Sequence, residues 1–140
     1  MSVPADTGRP VRPWVEKAEQ DYHVAVQLLK SDDDEFNAAI CFHAQQSAEK
    51  YIKAILTQED IEFPYTHDLR MLLSLVPAGD KLDIDPVNVI HLNRYAIQTR
   101  YPGDLESVDR PEARTALATA RRVRKAVRGR LPKGLLRRKA

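Results

Sequence analysis

The stretch C41-F-H-A-Q-Q-S-A-E-K-Y-I-K-A-I-L56 decides how this chain folds, because a helical projection of it gives two complete faces. At 100° per residue, Ile40, Cys41, Ala44, Ala48, Tyr51, Ile52 and Ile55 share one arc of about 120°. Phe42, His43, Gln46, Glu49, Lys50 and Lys53 fall on the opposite arc. The apolar stripe anchors the helix in a core, and the second face is expected to look outward at a partner or a ligand. On that reading Ile52→Ala costs about 2 to 5 kcal/mol and Lys53→Ala under about 0.5 kcal/mol.

Working outward, no proline or glycine occurs between Trp14 and Phe63, which leaves room for two long helices broken at S31-D-D-D-E35. The first is expected over about 14–30, with Val15, Ala18, Tyr22, Ala25 and Leu29 at helical spacing. The second is expected over about 35–57. Thr66 is a fitting N-cap for a short third helix, HDLRMLLSLV, closed by Pro77 and Gly79. Asp85 followed by Pro86 opens a fourth helix running to about Gln98, and Pro111 at the first helical position starts a fifth. No segment alternates with the two-residue period of a strand. The fold class is therefore all-α, an antiparallel up-and-down bundle of four long helices and a short one. Residues 1–13 read as a disordered arm, 14–131 as the helical domain, and 132–140 as a basic, disordered tail.

The 140 residues suit one domain, and 43% hydrophobic with 30% charged residues describes a soluble globular protein. No apolar run approaches the roughly 18 to 20 residues that cross a bilayer, and the N-terminus lacks the apolar core of a signal peptide, so a cytoplasmic protein without membrane contact is expected. The single cysteine, Cys41, lies on the apolar arc and reads as a buried reduced thiol. The net charge of +2 conceals an asymmetry: residues 121–140 hold ten Lys or Arg and no acid. The remaining twelve basic residues face all twenty acids.

Four groups of residues carry chemistry. His43, Gln46, Lys50 and Lys53 lie within an arc of about 80°, and cations with directional hydrogen-bonding groups in that pattern suit a phosphate or ribose, or else a dimer seam. On the fourth helix Asn88, His91, Arg94, Tyr95 and Gln98 share an arc, followed by Arg100 and Tyr101. His91 there fits a general acid or base, with Arg94 or Arg100 stabilising charge on a phosphorane; a wet helix face and loop-tying by Arg100 and Tyr101 are the plainer readings. His67 and Asp68 follow the expected cap and suit local structure. Arg114, Arg121, Lys125 and Arg128 form a stripe on the fifth helix, suited to nonspecific contact with nucleic-acid phosphates; no aromatic residue interleaves it for base stacking. No pair of residues has zinc-ligand spacing, and no cofactor motif is present.

The early helix with Ala18, Asp21 and Tyr22, the string FHAQQSAEKYIKAIL, THDL at 66–69 and the triplet RYP at 100–102 together resemble the HEPN domain, over about Trp14 to Arg128. The resemblance implies a four- or five-helix bundle that forms homodimers and is paired with a small nucleotidyltransferase as a toxin–antitoxin or two-component system. ATP or RNA is the expected ligand, and the residue reading above places it at His43, Gln46, Lys50, Lys53, Arg100 and Tyr101. Catalytic members are metal-independent ribonucleases that use an Arg followed after four to six residues by a His. None of His23, His43, His67 and His91 has an Arg at that distance before it, so an enzyme would need a divergent set such as His91, Arg94 and Arg100. A dimeric adaptor without catalysis is the remaining expectation.

Overall fold

A computed structural model describes residues 10–97 and 107–137. Three long helices carry the architecture: α1 (Arg12–Leu29), α2 (Asn37–Gln58) and α5 (Arg110–Arg128). Two helices of 6 residues each, α3 (Leu69–Ser74) and α4 (Pro86–His91), lie in the connection between α2 and α5. Among the described residues there is no strand, and no helix is long and apolar enough to cross a membrane.

The starts of these elements follow from short carboxylates. Asp33, Asp68, Asp85 and Asp109 each accept a backbone N–H two or three residues ahead, which satisfies donors that a first helical turn leaves open. Asp68, not Thr66, is the N-cap of α3; the Thr66 hydroxyl instead accepts the Asp68 N–H. Pro111 follows Arg110 and so occupies the second helical position rather than the first.

The expected long fourth helix is shorter than its polar arc suggested, so the bundle has three long helices and not four. After His91 the chain tightens into a 3-10 turn, Leu92–Tyr95. Val89, Leu92 and Tyr95 are all buried, and a spacing of three residues fits a helix of about 3.0 residues per turn better than an α-helix. Asn93 fixes the turn: its side chain accepts the Leu69 N–H at 2.8 Å and donates to the Asp68 carboxylate at 2.8 Å. Tyr95, expected beside His91 on a polar face, therefore turns inward.

α2 is the axis of the molecule. Its apolar stripe is buried as expected: Ile40, Cys41, Ala44, Ala48, Tyr51 and Ile52 are sealed from solvent. α1 lies antiparallel against it, since Trp14 reaches Lys53 while Asp21 reaches His43 and Lys50. α5 runs in the same direction as α2, with the Asn37 amide donating to the Val108 carbonyl at one end and Arg128 meeting Tyr51 at the other. The α3–α4 crossover makes that direction possible.

The far arc of α2 is not free. Glu49 is 1% exposed and Lys53 is 5% exposed, so the expectation that they look outward is overturned. The loop after α2 folds back and brings His67 to Glu49, while Trp14 and Phe63 cover the Lys53 ammonium at 5.3 and 5.8 Å. A second layer thus closes over a face that helical periodicity alone leaves in water. At the C-terminal side, Leu131 is buried and a 3-10 turn, Lys133–Leu135, follows. Arg12 clamps this segment onto α1 by donating to the carbonyls of Gly134 at 2.8 Å and Arg137 at 3.0 Å.

Candidate functional site

His43 and Lys50 stand seven residues apart on α2, two turns along one face, and Asp21 of α1 projects between them. One Asp21 oxygen accepts the His43 Nδ1–H at 2.9 Å and the other accepts the Lys50 ammonium at 2.5 Å. The carboxylate orients the imidazole and, in the neutral ring, selects the tautomer protonated at Nδ1. Burial alone would raise the Asp21 carboxyl, yet the bonds from His43 and Lys50 outweigh it and hold the group below its usual range. All three side chains keep some access to solvent.

The other two members of the predicted row leave this cluster. Gln46 is half-buried and its amide donates to Gln45 Oε1 at 2.6 Å. Lys53 donates to Glu49 Oε2 at 3.0 Å, while Glu49 Oε1 accepts His67 Nδ1 at 2.9 Å and Gln45 Nε2 at 3.1 Å. His67 accordingly ties the α2–α3 loop to a buried carboxylate. The structure places His43 and Lys50 together and assigns Gln46 and Lys53 to interior contacts.

A second cluster joins all three long helices. Glu19 of α1 receives the Arg124 guanidinium at 2.5 and 3.2 Å, the Tyr51 hydroxyl, and Arg128 at 3.7 Å. Desolvation works to raise the Glu19 carboxyl, and these partners overcome it and hold it low. Tyr51 is pushed upward, first by burial and then by the bond to Glu19. Arg121 Nε donates to the Tyr22 hydroxyl at 2.8 Å, and the guanidinium of Arg124 lies 4.8 Å from the centre of the Tyr22 ring. Two of the four predicted stripe residues, Arg121 and Arg128, thus bind within the protein. Arg114 and Lys125 remain exposed with no partner among the described residues, as does Arg122, which the stripe reading omitted.

On the 86–95 segment, His91 and Arg94 are exposed, with Arg94 Nη1 3.5 Å from His91 Nε2. His91 borders a cleft of 160 Å³ that it shares with Asn88, Glu112, Thr115 and Thr119. The Tyr95 hydroxyl donates to Glu112 there, and burial followed by that bond raises the phenol. Arg100, Tyr101 and Gln98 lie outside the described residues. Among the described residues no group of His, Cys, Asp and Glu is placed to hold a metal ion.

Glu19, Asp21 and Arg124 are the site residues that sequence reasoning missed. Their signal was present: Glu19 and Asp21 straddle the apolar spacing of Ala18 and Tyr22, a position where an acid needs a cation from a neighbouring helix.

A sequence model of the HEPN domain matches residues 11–130. The chain belongs to the HEPN domain family. This HEPN domain is similar in structure to TT1696 from Thermus thermophilus, with a TM-score of 0.71 and 28% identity over 89% of this chain and 100% of that one. It is also similar to ST0689, an archaeal HEPN homologue, with a TM-score of 0.67 and 25% identity over 88% of this chain and 98% of that one. No curated protein matches it.

Proposed function

We propose that this HEPN domain is the RNA-contacting subunit of a dimeric two-component pair whose second member is a small nucleotidyltransferase. The observation that carries the RNA contact is the division of its cations. Lys50 and Lys53 are each matched by a carboxylate, whereas Arg114, Arg122 and Lys125 stand exposed on α5 with no partner among the described residues. An uncompensated cationic helix face attracts phosphates without reading bases. His43 and Lys50 serve as a secondary nucleotide contact, weakened by the Asp21 charge between them. The nucleotidyltransferase partner and the homodimer rest on family membership.

Three phosphate contacts to single-stranded RNA give a log–log salt slope of about −2. Titrating labelled RNA into the protein from low to high salt measures it, and the triple variant Arg114→Gln, Arg122→Gln, Lys125→Gln should lose most of the affinity and the slope. Unchanged binding by that variant rejects the assignment. Co-purification of the two gene products from their native host tests the partner.

A second reading, a metal-independent ribonuclease, draws on the contact between His91 and Arg94 at the edge of the Glu112 cleft. Cleavage of cellular RNA in EDTA by the parent and not by His91→Ala would favour it over simple binding.

A further inference from the structure

The cleft between α1 and the C-terminal turn has a volume of 360 Å³, larger than the 160 Å³ cleft at His91. None of the sequence motifs points to it. Its floor is apolar, made by Val15, Leu135 and Leu136. Glu16, Glu19, Gln20, His23, Arg128 and Arg137 supply its polar lining. We propose that this cleft binds a small organic anion, a phosphomonoester or carboxylate attached to an apolar ring.

The charge balance supports an anion over a cation. Glu19 is already saturated by Arg124, the Tyr51 hydroxyl and His23, whose Nε2 lies 3.5 Å from Glu19 Oε2. The cleft is lined by two carboxylates, Glu16 and Glu19, and two guanidinium groups, Arg128 and Arg137; because Arg124, outside the lining, neutralises Glu19 at 2.5 Å, the two lining guanidiniums stand against Glu16 alone. Arg128 makes its contacts to Tyr51 and Glu19 through Nη1 alone, at 3.2 and 3.7 Å. Its remaining N–H groups have no acceptor among the described residues, and a planar fork of donors is the geometry that recognises phosphate or carboxylate.

The floor supplies the second half of the recognition. A purely cationic groove would hold any anion, but Leu135, Leu136 and Val15 reward a ligand that brings apolar surface. The wall is also preformed. Arg12 pins the carbonyls of Gly134 and Arg137, so a ligand does not bear the cost of ordering the turn.

Calorimetric titration of the full chain with phenyl phosphate, benzoate and the neutral control benzyl alcohol tests this. Saturable binding of the two anions and none of the alcohol is expected, with the tighter anion identifying phosphate or carboxylate as the natural head group. Arg137→Gln and Arg128→Gln should each weaken the anion about tenfold or more, and Leu136→Asp should abolish it. Arg137 is exposed and makes no described side-chain contact, so its variant keeps the test valid if Arg128→Gln fails to fold. Arg70→Gln, at an exposed cation of α3 outside every site described above, should leave the titration unchanged. Absence of saturation, equal binding of the alcohol, parental affinity in Arg137→Gln, or loss on Arg70→Gln each overturns the proposal.

Discussion

Asp21 bridges His43 and Lys50, with one carboxylate oxygen 2.9 Å from the imidazole Nδ1 and the other 2.5 Å from the ammonium. Both partners sit on α2, so this one α1 side chain sets the helix–helix register as well as the state of two polar groups. Asp21→Asn keeps the shape and removes the charge. Hydrogen exchange should then quicken at the adjoining turns of α1 and α2, and the His43 ring should lose its fixed tautomer in 15N spectra. An unchanged His43 tautomer in the variant contradicts the orienting role.

Acid sensitivity follows from the same chemistry. The Glu19 and Asp21 carboxyls both titrate below their ordinary values of 4.5 and 3.8 in the folded protein. The unfolded chain therefore binds protons first as pH falls. Their contribution is complete above those ordinary values and is lost as pH drops through the depressed folded ones. Urea unfolding measured between pH 6 and pH 2 should show stability falling below about pH 4.5, with a shallower fall in Glu19→Gln. An equally steep fall in that variant would assign the acid sensitivity to other groups.

The Glu49–Lys53 pair tests the corrected facing of α2. Lys53→Ala leaves a buried carboxylate with His67 and Gln45 as its partners, so a cost of about 3 kcal/mol is expected rather than the small value of a surface lysine. Replacing both residues, Glu49→Leu with Lys53→Met, should recover most of that loss, because neither charge is then stranded. Chemical denaturation of the single and double variants decides it. A Lys53→Ala cost as small as that of a surface site would restore the outward face.

These outcomes show where the sequence was legible. The alanine and isoleucine stripe of α2 is apolar at every turn, and its burial, the Asp85 cap and the all-helical class are written in local patterns, whereas Thr66 and Asp68 are equally good caps by residue type and only the folded turn separates them. The covering of Glu49 and Lys53 depends on a loop returning from residues 59–68 and on Trp14 arriving from α1, contacts with no local period. The same holds for the shortened α4: Asn93 is an ordinary helix residue until Leu69 and Asp68 are placed beside it. Among the candidate sites, the proximity of His43 to Lys50 could be read from one helix, whereas Asp21, Glu19 and Arg124 become a site only when α1 and α5 are brought together.

Ile52 gives the plainest check on the core. It is fully buried in the hydrophobic core, and Ile52→Ala should cost about 2 to 5 kcal/mol, the range for deleting a large aliphatic side chain from a packed interior. Thermal or urea unfolding reads this directly. A loss below about 1 kcal/mol would mean that the α2 stripe is loosely packed.

Cys41 turns the same core into a reporter of opening. Its thiol is fully buried, and burial, then the nearby Glu112 carboxylate, push it up to about 12. A thiol in that setting carries almost no thiolate at neutral pH, and nothing can reach its sulfur without parting α2 from its neighbours. Labelling by an aromatic disulfide reagent should therefore be negligible under native conditions and should rise with urea in step with global unfolding. Prompt stoichiometric labelling of the native protein would place Cys41 at a mobile surface instead of beneath Tyr95 and Glu112.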